Sequence, residues 1–316
     1  LNKKEIEYCQ LNFSMTDKSL KENKWHMHKK ETISSVFEEN LLSKLKDLRT
    51  ANLFPAVDTK AICSWNCMMI MGLIDASITY QNSKWFEIAE TTTHLILNNF
   101  CNEDQCYRLV YSNKIITGTL EDYSWLVALF IKIGHISASA YWFNESIKWT
   151  NIIINKFWDE DKNLFAFTES EVLYKKSFEI EDQVIPSSNS VIANNLYELY
   201  NVTHDKKYLE IMDKMMRKVG SKAQKWLPNY TNWMMLSNKK KSSNKLYVTI
   251  GYELNELWNL HHQKEINDQV YVLEKESEIL IFKEKYQEEE KNIFICNENS
   301  CIANTANIKE ALSIKI

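Results

Sequence analysis

Glycine and proline are scarce, with five and three among 316 residues. Breakers this rare mark the boundaries of long elements. No run of about 18 apolar residues occurs, which excludes a helix that spans a membrane. The opening LNKKEIEY carries no apolar signal core. It also lacks an initiator Met, so the chain is read as starting inside a longer gene product. No excess of positive charge exists: the net charge is −4, which disfavours a nucleic-acid partner. The run Lys239-Lys240-Lys241 is too short to change this and reads as a solvated loop. The seven cysteines follow no disulfide framework. Buried free thiols in a reducing compartment fit best, so a cytoplasmic location is expected. Cys296 and Cys301 stand close enough to be a metal or disulfide pair, but no second pair completes a zinc site. His26 and His28 read as an exposed polar strand face rather than metal ligands. There is no phosphate-binding glycine loop, no Gly-x-Ser-x-Gly and no His-Glu-x-x-His. No cofactor and no metal are expected.

What is present is a grammar of helix starts. Pro55 precedes Asp58-Thr59, Gly118 precedes Thr119, and Pro186 precedes Ser187-Ser188. Each breaker and capping residue leads into a long apolar-periodic stretch. Thr119 with Asp122 fits a capping box, and Gly220 stops the last of these helices. The stretches also repeat. LILNNFCNED (95–104) aligns with IIINKFWDED (152–161) at an offset of 57, which also places Trp85 on Trp142 and Leu73 on Phe130. A third copy follows at an offset of 66, with Trp142 on Tyr208, Phe130 on Leu196 and Ser124 on Ser190. Each unit pairs an almost wholly apolar inner helix with an outer helix of mixed polarity. The first must be covered on all sides and the second can face water, so concentric rings of helices are expected. Short strands such as 164–167 cross to the next inner helix.

The expected organisation is 1–30 extended or irregular, 31–240 helical hairpins, and 241–316 a small α/β appendage. Residues 31–50 read as one helix. In the appendage, strands are expected at 246–250, 269–273, 279–282 and 292–296, and helices at 253–266 and 308–314.

In register, the first turns of the inner helices are Ser64-Trp65-Asn66, Glu121-Asp122-Tyr123 and Ser187-Ser188-Asn189. They bring polar and aromatic groups to one mouth of the ring, where helix N-termini also present free N–H groups. Asp58, Lys60, Glu181 and Asp182 lie just upstream. Carboxylates beside aromatic and amide side chains suit sugar chemistry, because paired acids supply acid and base or acid and nucleophile. The candidate catalytic groups are Asp122, Glu121 and Asp58. Trp65, Asn66, Tyr123, Lys60, Glu181, Asp182, Ser188 and Asn189 are the candidate substrate contacts. Each acid or hydroxyl, taken singly, also reads as a helix cap.

Four segments carry a resemblance: KAICSWNCMMIMGLIDA (60–76), TGTLEDYSWLVALF (117–130), FWDEDKNLFAF (157–167) and IPSSNSVIANNLYELY (185–200). They resemble the thioredoxin-domain-containing family typified by spermatogenesis-associated and YyaL-like proteins. The resemblance implies a mainly α fold, part of a six-hairpin glycosidase-like (α/α) toroid, with a small α/β appendage. It implies an N-terminal thioredoxin-like domain as an intramolecular partner, and its glycosidase-like and epimerase-like fold fits a small-molecule or oligosaccharide ligand; from the charge and the apolar runs, no nucleic-acid or membrane partner is expected. The chain looks like the C-terminal half of such a protein. Cys67 and Ser188 stand where the family usually has Gly. Three readings follow: a carbohydrate-active enzyme of glycosidase or epimerase type, a non-catalytic docking module beside the thioredoxin-like domain, or a remnant of a split or truncated gene product with no independent activity.

Overall fold

A computed structural model describes residues 1–14, 20–21, 24–25, 28–29, 36–50, 57–111, 114–137, 139–169, 176–242, 244–286, 290–297 and 300–315. His26 lies outside them. They form two compact units, Leu1–Thr59 and Lys60–Ile316.

The first unit opens on a helix where an irregular lead-in was expected. Helix α1 (Lys3–Asn12) starts at a reciprocal cap: the Glu5 N–H donates to Asn2 Oδ1 (2.9 Å) and the Asn2 N–H to Glu5 Oε2 (2.6 Å). Its sequence shows no apolar periodicity, so the cap was the only signal. Helix α2 (Val36–Thr50) packs Leu41 against Cys9 and Phe13. Lys44 Nζ reaches Glu5 at 3.0 Å.

The second unit holds the hairpins. Inner helices α3 (Cys63–Thr79), α5 (Leu120–Gly134) and α7 (Ser188–Thr203) alternate with outer helices α4 (Ser83–Phe100), α6 (Tyr141–Phe157) and α8 (Lys206–Ala223). The unit is mainly α, an arc of an (α/α) toroid. Helix starts at Cys63 and Leu120, and helix ends at Phe100 and Phe157, reproduce the offset of 57. The offset of 66 also holds at atomic detail. Ser124 Oγ donates to the Glu121 carbonyl (3.1 Å) and Ser190 Oγ to that of Ser187 (2.8 Å).

Helix α5 is enclosed nearly all round, from Leu126 to Ile133, and Phe130 stacks on Trp142 of α6 at 5.4 Å. Each large apolar side chain that leaves water contributes about 1.5–3 kcal/mol. That exceeds the roughly 0.7 kcal/mol or less by which Val127, Ile131 or Ile133 disfavours a helix. Packing therefore decides this element. Helix α6 buries one stripe (Trp142, Phe143, Trp149, Ile153, Phe157) and leaves its other side wet.

A further inner helix, α9 (Thr231–Lys241), packs beside α7. Its last turn contains Lys239 to Lys241, so this run is helical and not a loop. Helix α10 (Leu254–Gln263) and a four-stranded sheet follow, in the order 269–273, 246–250, 292–296, 301–305, with the first pair parallel. One sheet face (Leu246, Val248, Tyr271) joins the core of the toroid. The other (Tyr247, Val270, Ile293, Ile295) packs on Leu260 of α10 and on Ala311 of α11 (Ile308–Ser313). The appendage thus shares the main core. Residues 279–282 turn instead of forming the expected strand. Ile279, Ile281 and Phe282 are buried, the Phe282 N–H closes the turn on the Ile279 carbonyl (2.8 Å), and the Ile281 N–H donates to the Val202 carbonyl (3.1 Å).

Gly251 ends the first strand at φ +72, and a Cβ there would sit 2.6 Å from the Glu290 carbonyl oxygen. Gly251→Ala adds left-handed strain to that clash. A loss of about 2–3 kcal/mol is expected in urea unfolding. A change below about 0.5 kcal/mol would show that the strand end relaxes freely.

Candidate functional site

The first turns of the inner helices do meet, but as caps. Asp122 is fully buried. Its Oδ2 accepts from the Thr119 N–H (3.0 Å) and the Thr119 hydroxyl (3.2 Å), which closes the capping box of α5. Its Oδ1 accepts the Ser64 N–H at the start of α3 (3.3 Å). Ser64 Oγ donates to Glu121 (2.6 Å), and the Arg108 guanidinium pairs with Glu121 (3.3 Å) and Asp122 (3.1 Å). Burial would lower the Arg108 pKa, but Asp122 and then Glu121 outweigh it and raise it.

The same device serves the next helices. Asp182 Oδ1 accepts from the Ser187 N–H (2.9 Å) and Ser190 Oγ (2.9 Å), while its Oδ2 accepts the Asn232 N–H of α9 (2.8 Å). Glu179 accepts both the N–H (3.1 Å) and the hydroxyl of Ser188. Glu181 accepts from the Tyr230 hydroxyl (3.2 Å). Carboxylates bridge adjacent inner helices here because helix N-termini leave N–H groups to satisfy and favour negative charge.

Tyr123 and Asn189, expected as substrate contacts, are fully buried and face the crossing strands. The Tyr123 hydroxyl accepts the Cys106 N–H (2.9 Å), and its ring packs on Phe157 and Trp149. Burial pushes its pKa up. At the equivalent position, Asn189 grips the Phe165 N–H and carbonyl (2.8 and 2.9 Å). Both residues fasten a strand to an inner helix and offer no face to a ligand. Trp65 stays 59% exposed. The Asn66 amide is tied to the Ile62 carbonyl (2.8 Å). Asp58, at the end of the first unit, and Lys60 are exposed. Of the three acids expected to be catalytic, Glu121 alone combines a free edge (13% exposed) with a place at the mouth of the second unit.

The open space lies elsewhere. A cavity of about 510 Å³ runs along the lumen sides of α3, α5, α7 and α9 and is floored by residues 261–270. None of the expected site residues lines it. Its walls carry Trp125, Asn194, Asn195 and Asn232. The amide nitrogens of the asparagines donate to Ser190, Ser124 and Ser190 (2.8–2.9 Å), so each side chain is fixed in orientation. Their oxygens have no donor among the described residues, which leaves three acceptors for a ligand.

Charge is concentrated at the floor. Asp75, Lys132 and Glu198 occupy one repeat position, related by the offsets 57 and 66, and all three line the cavity. Lys132 pairs with Asp75 (2.5 Å) and Lys239 with Glu198 (3.0 Å), and His135 Nε2 stands 3.7 Å from Glu198. Gln269 also donates to Glu198. Burial would push the Glu198 carboxyl up, but Lys239 and then His135 outweigh it and hold it down at about 2. Burial, reinforced by Lys264, His135, Lys132 and His262, pushes His261 down to about 3. Lys239 is therefore a half-buried partner of Glu198 and not part of a solvated run. The sequence carried a signal for this cluster: a charged residue at the same place in three apolar helices.

The metal-or-disulfide question at Cys296 and Cys301 resolves as a disulfide between neighbouring strands, and Cys9, Cys63, Cys67, Cys101 and Cys106 are free thiols. Among the described residues no group of three ligands could hold a metal, and no helix is long and apolar enough to cross a membrane.

No protein-family model matches the chain. Among solved structures, a family 76 α-mannanase from Bacteroides thetaiotaomicron is similar at TM-score 0.48, with 12% identity over 77% of this chain and 74% of that one. A D-mannose isomerase is similar at TM-score 0.42, with 11% identity over 60% of this chain and 54% of that one. Among curated proteins, an uncharacterised Caenorhabditis elegans protein is 22% identical over 55% of this chain and 25% of its own length. Human spermatogenesis-associated protein 20 is 23% identical over 54% of this chain and 23% of its own length. The chain spans about a quarter of the length of the curated relatives it matches. Over about half of its own length, it is similar to spermatogenesis-associated protein 20, the relationship that its helix-start motifs imply.

Proposed function

We propose that the lumen cavity binds a small polyhydroxylated ligand of the carbohydrate class. The observation that carries this reading is the cavity itself, with an indole on its wall, three fixed carboxamides and an ion-paired floor. An indole face suits the apolar C–H face of a pyranose, and fixed amide oxygens accept its hydroxyl protons. The site moves from the mouth, where the sequence placed it, to the lumen, because the carboxylates at the mouth cap helices.

Binding fits the geometry better than hydrolysis. Glycoside hydrolysis needs two carboxyl groups facing one bond, one of them able to donate a proton near neutral pH. Asp122 is enclosed, and Glu198 is held ionised. A thermal-shift panel of neutral mono- and oligosaccharides tests the reading. Ligand at a hundredfold over Kd stabilises by about 2.7 kcal/mol, worth about 4 °C in a chain of this size. At least one sugar is expected to give that rise in the intact chain, and Trp125→Ala is expected to remove it. A flat panel counts against the proposal.

One observation favours the second reading, a docking module. Trp65 and Met69 lie one turn apart on α3 and are 59% and 72% exposed. Under that reading Trp65→Ala changes association with another polypeptide and leaves the sugar response intact.

A further inference from the structure

Four of the free cysteines gather at one end of the first hairpin. Cys63 opens α3, and Cys67 lies one turn further on; both are fully buried. Cys106 sits in the strand 105–111, fully buried, and faces Cys101 across a tight antiparallel turn. The Cys63 and Cys106 sulfurs stand 3.8 Å apart. Cys101 is only partly buried and gives this cluster an edge toward solvent.

We propose that Cys63 and Cys106 form a reversible disulfide, loaded through Cys101 from a small-molecule disulfide. Hydrogen bonds from the Cys106 and Cys67 thiols lower the pKa of Cys63, helped by its place at a helix N-terminus, so it is the readiest nucleophile. Contact with Cys101 and Cys63, with burial added, raises that of Cys106. Direct attack on the buried pair from solvent is blocked, which gives Cys101 its role.

The exchange balances in three steps. The Cys101 thiolate attacks an external disulfide RS–SR, forms Cys101–S–S–R and expels one RS⁻. Cys106 then gives its proton to the Cys63 thiolate 3.8 Å away, attacks Cys101 Sγ, forms the cross-turn disulfide and expels the second RS⁻, which takes that proton on. Finally the Cys63 thiolate attacks Cys106 Sγ and frees the Cys101 thiolate. Two protein thiols are oxidised, one external disulfide is reduced to two thiols, and the protons released by the protein end on those thiols. The new bond ties the start of α3 to the strand that carries Arg108. It therefore braces the contacts of Arg108 with Glu121 and Asp122.

The test uses the full chain with oxidised glutathione as oxidant, followed by denaturing alkylation and tandem mass spectrometry of the tryptic digest. Alkylatable thiols are expected to fall from the five free cysteines to three. Tryptic peptides 61–84 and 85–108 are expected to become linked through Cys63 and Cys106, and dithiothreitol is expected to release them. Cys101→Ser is expected to slow the loading at least about tenfold while the same linkage still forms, since exposure governs access. Two results overturn the proposal: five thiols that stay alkylatable, or a digest in which Cys101 alone carries glutathione. A Cys101→Ser protein that links as fast as the parent overturns the Cys101 route.

Discussion

Asp122→Ala is expected to cost about 3–5 kcal/mol of folding stability, the range for removing one partner of a buried ion pair. The carboxylate is fully buried and accepts from Thr119, Ser64 and Arg108. Its loss strands two backbone N–H groups in the interior and breaks one half of the capping box of α5, itself worth about 1 kcal/mol. Asp122→Asn keeps the shape and loses the charge, so an intermediate loss is expected. Urea unfolding reads both. A loss below about 1 kcal/mol for Asp122→Ala would mean that the residue is no keystone of the helix starts, and would reopen a catalytic role for it.

Acid is expected to weaken the second unit in two steps. A base whose folded pKa is depressed contributes stability above its unfolded pKa and loses it as pH falls. His261 is held at about 3 against an ordinary 6.5, so its unfolded form takes up a proton first. Stability is then expected to fall from pH 6.5 downward, at up to about 1.4 kcal/mol per pH unit. Glu198 is held at about 2 against an ordinary 4.5, so its contribution is present above pH 4.5 and is lost between pH 4.5 and 2. That step amounts to about 3 kcal/mol. His261→Leu is expected to flatten the profile between pH 6.5 and 4.5, and Glu198→Gln to flatten it below 4.5. Denaturant melts across pH 3–7 decide. An unchanged slope in His261→Leu would show that this ring is not kept neutral by its surroundings.

Elements whose burial is one-sided or complete were legible in the sequence, because pattern alone fixes them. The offset of 57 predicted helix α6 from α4 to within a residue, and Thr119 with Asp122 announced the cap of α5. Helix α1 was not foreseen because its stabilising feature is the Asn2–Glu5 cap and not a periodic face. Ile279, Ile281 and Phe282 are apolar because they are buried, and a buried turn has the same composition as a buried strand. At the mouth, Asp122, Asp182 and Glu179 are acids beside helix starts, and the cap and the catalyst use the same residue types. Partners alone separate the two, and partners are tertiary. The cavity needed both the repeat register and the floor formed by residues 261–270, more than 120 positions beyond the turn at His135. Read with the register, Asp75, Lys132 and Glu198 would have pointed to it.

Whether the ligand sits in the lumen or at the mouth is decided by calorimetric titration of the sugar that gives the largest thermal shift. It compares the parent chain with Asn195→Ala, Trp125→Ala and Glu121→Gln. Loss of binding at least about tenfold, or about 1.4 kcal/mol, is expected for both lumen variants. Glu121→Gln is expected to bind like the parent. Binding that survives both lumen changes and fails in Glu121→Gln would place the ligand at the mouth and contradict the lumen assignment.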